Sequence, residues 1–235
     1  MGEQALNDLW SFDSDAKKWT QHEHGDGPAP RSFHKMCAIG SDLFVFGGCG
    51  VVGRNADLWK FDTVAGKWTV LAGEPPAGLP GRGGAGFLPS SDGKSLFVVG
   101  GFIGEESNAV FRFDLAENTW HEVLAEKNDV VRPFSVSCGA MIGGDLCFIG
   151  GEVDPSAKGH EGAGGFCNTV VLLDGLTGMP KDAPAGVNEG EGRPADRGWA
   201  DAAVWPGQGV VIYGGLSGSD ADPLRLADTW LYKFD

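Results

Sequence analysis

Three neighbouring segments decide the fold: Leu43-Phe44-Val45-Phe46-Gly47-Gly48, then Asp57-Leu58-Trp59-Lys60-Phe61-Asp62, then Lys67-Trp68-Thr69-Val70. A short apolar run is typical of a strand that is buried on both faces. The Gly-Gly pair ends that run where two backbones pass closely or φ becomes positive. The alternation in the second segment predicts a half-buried strand, and the Trp segment predicts an outer strand. The three segments therefore predict consecutive antiparallel strands of one sheet.

The same pattern recurs along the chain. Four apolar runs are each followed by a glycine pair. These pairs begin at Gly47, Gly100, Gly150 and Gly214. An arginine precedes each of these runs, at Arg31, Arg82, Arg132 and Arg197. A period of about 50 residues with glycine, aromatic and tryptophan landmarks resembles the kelch repeat, which implies a β-propeller of four-stranded blades.

We therefore predict an all-β fold, a single kelch-type β-propeller domain with about five units. The units are expected at roughly residues 5–22, 30–72, 81–125, 131–178 and 196–235. The first has only its third and fourth strands, and the last lacks its fourth strand. This pattern fits either a small propeller with irregular closure or part of a larger, six-bladed one.

Two stretches depart from the repeat. Residues 152–166 lengthen the loop after the third glycine pair. Residues 176–196 are rich in Gly, Pro, Ala and acidic residues, and they stand where the Trp strand of the fourth unit is expected. This composition is typical of a surface loop. The outer strand of that blade is therefore expected to be defective.

Charge and composition exclude some functions. The chain has 235 residues, a formal net charge of −14 and no basic run, which argues against nucleic-acid binding. No apolar stretch is long enough to cross a bilayer, and the first residues do not resemble a signal peptide. The five cysteines have no CxxC spacing and fit reduced thiols. We expect a cytoplasmic protein, with the nucleus as the alternative.

The arginines are the most regular polar feature. If the first strands line a central channel, Arg31, Arg82, Arg132 and Arg197 converge at its mouth and suit a sulfate, phosphate or carboxylate group. The alternative is that each arginine holds a carbonyl or carboxylate of the protein itself. His34 follows Arg31 closely and is expected to point into the channel or beside it.

Acidic loop residues suggest a second kind of site. The acids Glu105, Glu106, Glu152 and Asp154, with His160, could ligate a divalent metal such as Fe(II) or Mn(II). Their spacing matches no closed structural site, and loop carboxylates are usually solvated. No catalytic triad order, nucleophile elbow or phosphate-binding loop occurs in its structural context.

A narrower resemblance rests on longer stretches. The plant specifier proteins (nitrile-specifier, epithiospecifier and thiocyanate-forming proteins) are resembled by residues 31–34, 46–54, 57–59, 81–86, 101–106 and 150–166, and by Arg197-Gly198-Trp199 followed by Gly214-Gly215. The resemblance covers nearly the whole chain and implies a chain that lacks the first one and a half blades of that family. It implies action with a myrosinase-type thioglucosidase and with Fe(II) on glucosinolate aglucones. It also implies that the arginines at the channel mouth bind the sulfate of the aglucone. Trp199 is a further predicted ligand-binding residue.

The metal positions depart from the specifier pattern. The resemblance implies a metal carried in and around residues 104–111, where Glu105 and Glu106 remain. Asn108 and Ala109 stand where acids are expected, and Phe111 stands where a histidine is expected. Since Phe cannot ligate iron and Asn is a weak ligand, the family's Fe(II) site is expected to be lost or weakened.

Two readings of the function remain open. One is a non-catalytic binding module for a protein partner or a small anionic ligand at the channel mouth, with no cofactor. The other is an Fe(II)-dependent specifier factor that directs aglucones to nitriles. A copper oxidase on a kelch propeller would need tyrosine ligands, and the two tyrosines, Tyr213 and Tyr232, both fall within predicted strands.

Overall fold

The computed structural model describes residues 5–23, 25–71, 75, 79–157, 163–183 and 192–233. These residues form strands, turns and loops, and none of them is helical. The described part of the chain accordingly contains no helix long and apolar enough to cross a membrane.

The described residues form seventeen strands in five antiparallel sheets, and the strands of each sheet are neighbours in chain order. The first sheet is β1 (Leu9–Asp13) and β2 (Lys18–His22). The second is β3 (Lys35–Ile39), β4 (Asp42–Phe46), β5 (Leu58–Asp62) and β6 (Lys67–Val70). The third is β7 (Gly86–Pro89), β8 (Ser95–Val99), β9 (Val110–Asp114) and β10 (Thr119–Leu124). The fourth is β11 (Cys138–Ile142), β12 (Asp145–Asp154), β13 (Gly165–Asp174) and β14 (Pro180–Lys181). The fifth is β15 (Asp201–Trp205), β16 (Gly209–Ser219) and β17 (Asp222–Tyr232). The predicted all-β propeller of antiparallel blades is confirmed.

The apolar runs are the second strands of their sheets. Every residue of β8 is buried. Neighbouring sheets pack face to face, and Phe46 of β4 contacts Phe87 of β7 and Trp120 of β10, with ring centroids 5.7 Å apart in both pairs. Phe111 and Phe113 of β9 belong to the same buried cluster. Burial between blades, at about 25 cal/mol per Å² of apolar surface, is therefore the main stabilising term.

The glycine pairs end the second strands for a steric reason. Gly47 and Gly48 have φ values of 63° and 91°. A Cβ atom on Gly48 would lie 2.6 Å from the carbonyl oxygen of Ser32. Positive φ and this close approach together require glycine.

The last two sheets are modified. The fourth strand of the fourth sheet, β14, has only two residues, where the sequence predicts a defective outer strand. Residues 184–191 of the predicted 176–196 loop lie outside the described residues. Strands β12 and β16 continue past their glycine pairs, so that two long hairpins extend from the end of the sheets where the glycine pairs lie. Ser156 donates a hydrogen bond to Asp220 at 2.5 Å and joins the two hairpins.

Candidate functional site

Three of the predicted ligand-binding arginines are bound inside their own blades. Arg31, Arg82 and Arg197 are 5%, 0% and 2% exposed. Nη1 of each arginine donates to the carbonyl oxygen of the first glycine in the glycine pair of its repeat, at 2.9 Å. Nε of each arginine donates to the carbonyl oxygen of the residue two positions before that arginine. These contacts fasten the start of the first strand to the end of the second.

A carboxylate completes each of these arginine sites. Arg31 binds Asp57 with two hydrogen bonds of 2.7 and 2.8 Å, and Arg197 binds Asp228 with two of 2.7 and 2.9 Å. Arg82 instead donates to Ser107 at 3.0 Å and lies 3.6 Å from a carboxylate oxygen of Glu126. Hydrogen bonds from Arg197 and Trp230 hold the pKa of Asp228 well below its usual range. Burial acts to raise the pKa of Asp57, but the hydrogen bonds from Arg31 and Trp59 outweigh it and lower the pKa.

The fourth arginine does not belong to this series. Arg132 is exposed, and Phe134 occupies the equivalent position. The backbone shows this, because Gly101 donates to the carbonyl of Phe134 at 2.8 Å just as Gly48 donates to that of Arg82 at 2.9 Å. The predicted ring of four arginines at the channel mouth is therefore corrected: three arginines are internal clamps, and Arg132 lies apart from them.

A different position of the repeat forms the channel ring. Phe33, Gly84, Val136 and Trp199, each two residues after the clamp position, all have left-handed φ, between 45° and 61°. Their backbones are joined in sequence: Gly84 donates to the carbonyl of Phe33, Val136 to that of Gly84, and Trp199 to that of Val136, at 2.7 to 2.9 Å. Left-handed φ in three non-glycine residues, one of them β-branched, is a strained arrangement of the kind found at binding sites.

Three residues of this ring, Phe33, Val136 and Trp199, line a cavity on the side of the glycine pairs, which we call the channel mouth. The channel mouth has a volume of about 260 Å³, and its walls include Phe33, Phe102, Trp199, Arg54 and Glu152. The rings of Phe33 and Trp199, which lie just before the second and fifth sheets, meet edge to face with centroids 5.5 Å apart. The guanidinium of Arg54 lies over the Phe102 ring, 4.5 Å from its centroid. The mouth therefore combines aromatic walls with charged groups of both signs.

His34 lies beyond the ring, in a second depression. Phe33 and Trp199 line both spaces, and Lys35 and Asp201 line only the second. Although His34 keeps solvent exposure, desolvation by the surrounding walls lowers its pKa, and the charges of Arg31 and Lys35 lower it further. Of the predicted ligand-binding residues, the structure thus places Trp199 at the mouth and His34 below it.

Acidic side chains lie at one side of the mouth. Ser135, which lines the mouth, donates a hydrogen bond to Glu106 at 3.2 Å. Burial raises the pKa of Glu106 to about 7, and the negative charges of Glu152 and Asp154 raise it as well. Glu105 points elsewhere: it is exposed and lies 3.5 Å from the ammonium of Lys127.

The described residues do not fit the iron site that the specifier resemblance implies. They contain no group of three or more His, Cys, Asp or Glu side chains that could hold a metal ion. Asn108 is buried and donates to the carbonyls of Asn128 and Val131, and Phe111 is fully buried in the apolar core. Both replacements therefore have structural roles. His160 lies outside the described residues.

Several mouth residues were missed at the level of sequence. Phe33 could have been found, because it stands two residues after Arg31, as Trp199 stands two residues after Arg197. Val136 could not, because Phe134 holds the clamp position of its repeat and the nearby Arg132 misdirects the spacing. Arg54 and Phe102 lie in loops whose lengths differ between repeats, so no shared spacing identifies them.

The sheets, the glycine pairs and the clamps define a kelch-type β-propeller. Residues 1–151 match the KLHDC2/KLHL20/DRC7 Kelch-repeats domain family, and the chain belongs to that family. It is also similar to the N-(sulfonatooxy)prop-2-enimidothioate sulfolyase of Thlaspi arvense, with 29% identity over 89% of this chain and 66% of that protein, so it spans just under two thirds of that relative's length. Two shorter stretches are similar to other proteins. One is 46% identical to the Rho GTPase-activating protein gacHH of Dictyostelium discoideum and covers 20% of this chain and 3% of that protein. The other is 41% identical to Host cell factor of Drosophila melanogaster and covers 18% of this chain and 3% of that protein.

Proposed function

We propose that this propeller is a binding module whose channel mouth receives a segment of a partner protein. The observation that carries the proposal is the mouth itself: a concave space of about 260 Å³ with the rings of Phe33, Phe102 and Trp199 around it. Aromatic side chains in concave sites supply large contact areas and are enriched among the residues that dominate binding energy.

The channel ring supports this proposal because it holds the walls in place before binding. Each ring residue is connected to the next through its backbone, and two clamps hold Phe33 and Trp199 to their blades through Arg31 and Arg197. A preformed site avoids the entropy cost of ordering side chains when the partner binds.

The charges favour a partner segment that is apolar with a basic residue. Glu106, Glu152 and Asp154 lie close enough for their charges to affect one another. The three clamp arginines, which would suit a small anion, are instead bound to groups of the protein. Arg54 adds one positive charge at the mouth, but the chain as a whole carries −14. An acidic surface of this kind repels anions and speeds association with basic segments.

A peptide-display selection tests the proposal directly. Random dodecapeptides are selected on the intact protein, and the enriched peptides are measured by fluorescence polarisation. We expect enrichment of aromatic or aliphatic residues next to Lys or Arg, and a loss of affinity of at least about 10-fold in Trp199→Ala. Trp205→Ala is the matched control, because Trp205 is exposed and lines a different depression. Equal losses in both variants, or no enrichment over an unrelated acidic protein, would refute the proposal.

A second candidate function is a specifier-type factor that acts with Fe(II) and a thioglucosidase. The observation in its favour is the similarity to the Thlaspi arvense sulfolyase along 89% of the chain. Its test is anaerobic loading with Fe(II), followed by measurement of bound iron and of the nitrile-to-isothiocyanate ratio in a myrosinase reaction. Stoichiometric iron together with a raised nitrile fraction would support this candidate. Absence of both would remove it.

A further inference from the structure

A turn at the rim of the channel mouth carries two exposed apolar side chains. The turn is Gly50-Val51-Val52-Gly53, in which Gly50 donates a backbone hydrogen bond to the carbonyl of Gly53 at 2.7 Å. Val51 is 89% exposed, and Val52 is fully exposed. Turn tips usually consist of Gly, Pro, Asn, Asp and Ser. Two adjacent β-branched apolar residues break that rule, and because neither side chain is buried, they gain no packing within the chain.

The base of this turn belongs to the channel mouth. Cys49 and Arg54 flank the turn and pair as an antiparallel β-bridge, and both line the mouth. Cys49 also exchanges two backbone hydrogen bonds with Ser32, of 2.7 and 2.9 Å. The base is therefore fixed, and each valine stands two residues from a residue of the wall.

The turn lies where the second and third sheets meet, and each of these sheets has four strands. The guanidinium of Arg54 lies over the ring of Phe102, which follows the second strand of the third sheet. A Cβ atom on Gly81 would clash with the carbonyl of Arg54, so the segment before the third sheet passes directly against the base of the turn. The two valines are thus exposed beside two four-stranded sheets.

The equivalent loops of the third and fifth units have different tips. In the third unit, the exposed residues at the tip are Gly104 and Glu105. In the fifth unit, the tip of the hairpin of β16 and β17 is Ser219-Asp220-Ala221-Asp222. A pair of exposed valines is therefore not a requirement of the repeat.

We propose that the turn of Val51 and Val52 is a second contact site for the partner segment that the channel mouth receives, and that an apolar side chain of that segment packs on the two valines outside the cavity. This inference rests on the proposed function of the mouth. Continuity with the mouth selects this occupant. A single exposed apolar side chain is ordinary on a protein surface, whereas an adjacent pair that borders an aromatic cavity extends its apolar surface. Full burial of a valine side chain contributes about 10-fold or more in affinity.

The probes are the dodecapeptides that display selection enriches on the intact protein. A double variant, Val51→Thr with Val52→Thr, keeps the β-branched shape and replaces one methyl group of each side chain by a hydroxyl. We expect it to bind the peptides at least about 5-fold more weakly and to keep the urea midpoint of the unchanged protein. Val51→Ile with Val52→Ile is expected to bind at least as tightly as the unchanged protein. Val64→Thr is the matched control and is expected to have no effect, because Val64 is 84% exposed in the turn between β5 and β6, at the opposite end of the second sheet.

Methyl NMR spectra give a direct readout of the contact. The valine methyl groups of the intact protein are labelled with carbon-13, and the single variants Val51→Thr and Val52→Thr identify the signals of the two residues. We expect a saturating selected peptide to shift the methyl signals of Val51 and Val52 and to leave those of Val64 unchanged.

Trp199→Ala separates the failure of this inference from the failure of the proposed function. Loss of affinity in both Trp199→Ala and the threonine double variant, with shifted signals of Val51 and Val52, supports the second contact site. If only Trp199→Ala loses affinity, or if the signals of Val51 and Val52 do not shift, the second contact site is overturned and the mouth remains the binding site. If no peptide is enriched, or if Trp199→Ala binds as the unchanged protein does, both proposals are overturned.

Discussion

Replacement of Arg82 tests whether the repeated arginines are structural clamps. Arg82 is fully buried, and Arg82→Ala would leave the buried carbonyl of Gly100 without its guanidinium donor, at a cost of about 1 to 3 kcal/mol. It would also remove the cation beside Glu126 and the contact with the Phe111 ring. Loss of one partner of a buried ion pair costs about 3 to 5 kcal/mol.

The lower end of that range applies here. The side chain of Glu126 is 27% exposed, so water solvates part of the charge that is left behind. We therefore expect Arg82→Ala to lower the free energy of unfolding by about 3 kcal/mol. For a domain of this size, that change lowers Tm by about 6 to 12 °C.

The assay is urea unfolding followed by far-UV circular dichroism, with calorimetry for Tm. Arg132→Ala is the control, since Arg132 is exposed and outside the clamp series, and its effect is expected to stay within about 0.5 kcal/mol. Adding Glu126→Gln to Arg82→Met is expected to recover stability relative to Arg82→Met alone, because no buried charge is then left unpaired. If Arg82→Ala unfolds like the unchanged protein but loses binding of sulfate, Arg82 is a ligand-binding residue and the clamp interpretation is wrong.

Three further predictions concern the repeat and the mouth. Gly48→Ala is expected to lower the free energy of unfolding by about 2 to 5 kcal/mol, because its Cβ would meet the Ser32 carbonyl. Gly66 also has positive φ but no atom within 4 Å, so Gly66→Ala is expected to cost about 1 to 2 kcal/mol. Equal urea midpoints for the two variants would contradict a steric requirement at Gly48. The pKa of Glu106 is raised from 4.5 to about 7, so the stability contributed by its neutral form is full below pH 4.5 and is lost as pH rises through 7. Glu106→Gln is expected to flatten this decline of the unfolding free energy with pH. An unchanged slope would show that Glu106 is not responsible. Asn108→Asp is expected to destabilise the protein by about 2 kcal/mol or more, since a carboxylate would face two carbonyl oxygens, and to bind no iron; a stable variant with stoichiometric iron would reverse the assignment of Asn108.

The fold was readable from the sequence because each repeat carries its own local signals. The apolar run, the glycine pair and the aromatic segment that ends in Asp each reflect a local requirement of burial, backbone conformation or strand alternation. Such requirements do not depend on distant contacts, so β4, β8 and β12 follow directly from them.

The roles of the arginines were not readable in the same way. Spacing alone placed Arg132 with the other three, although it stands two residues before the clamp position that Phe134 occupies. Whether an arginine faces a channel or the inside of its own blade depends on a carboxylate about 26 to 31 residues away, as in the pairs of Arg31 with Asp57 and Arg197 with Asp228. The channel mouth depends on four sheets at once, and no local pattern encodes its shape.

The central claim is that the channel mouth is the binding face, and Cys49 can test it without any mutation. Cys49 lines the mouth. The pKa of its thiol is raised, because the effect of burial outweighs that of the nearby charge of Arg54. The pKa of Cys37 is raised to about 12, so it serves as an internal reference that reacts slowly. The measurement is the rate of iodoacetamide labelling of Cys49, followed by mass spectrometry, with and without a saturating selected peptide. We expect bound peptide to slow labelling of Cys49 at least about 10-fold and to leave the labelling rate of Cys37 unchanged. An unchanged rate at Cys49 in the saturated complex would place binding elsewhere and contradict the account.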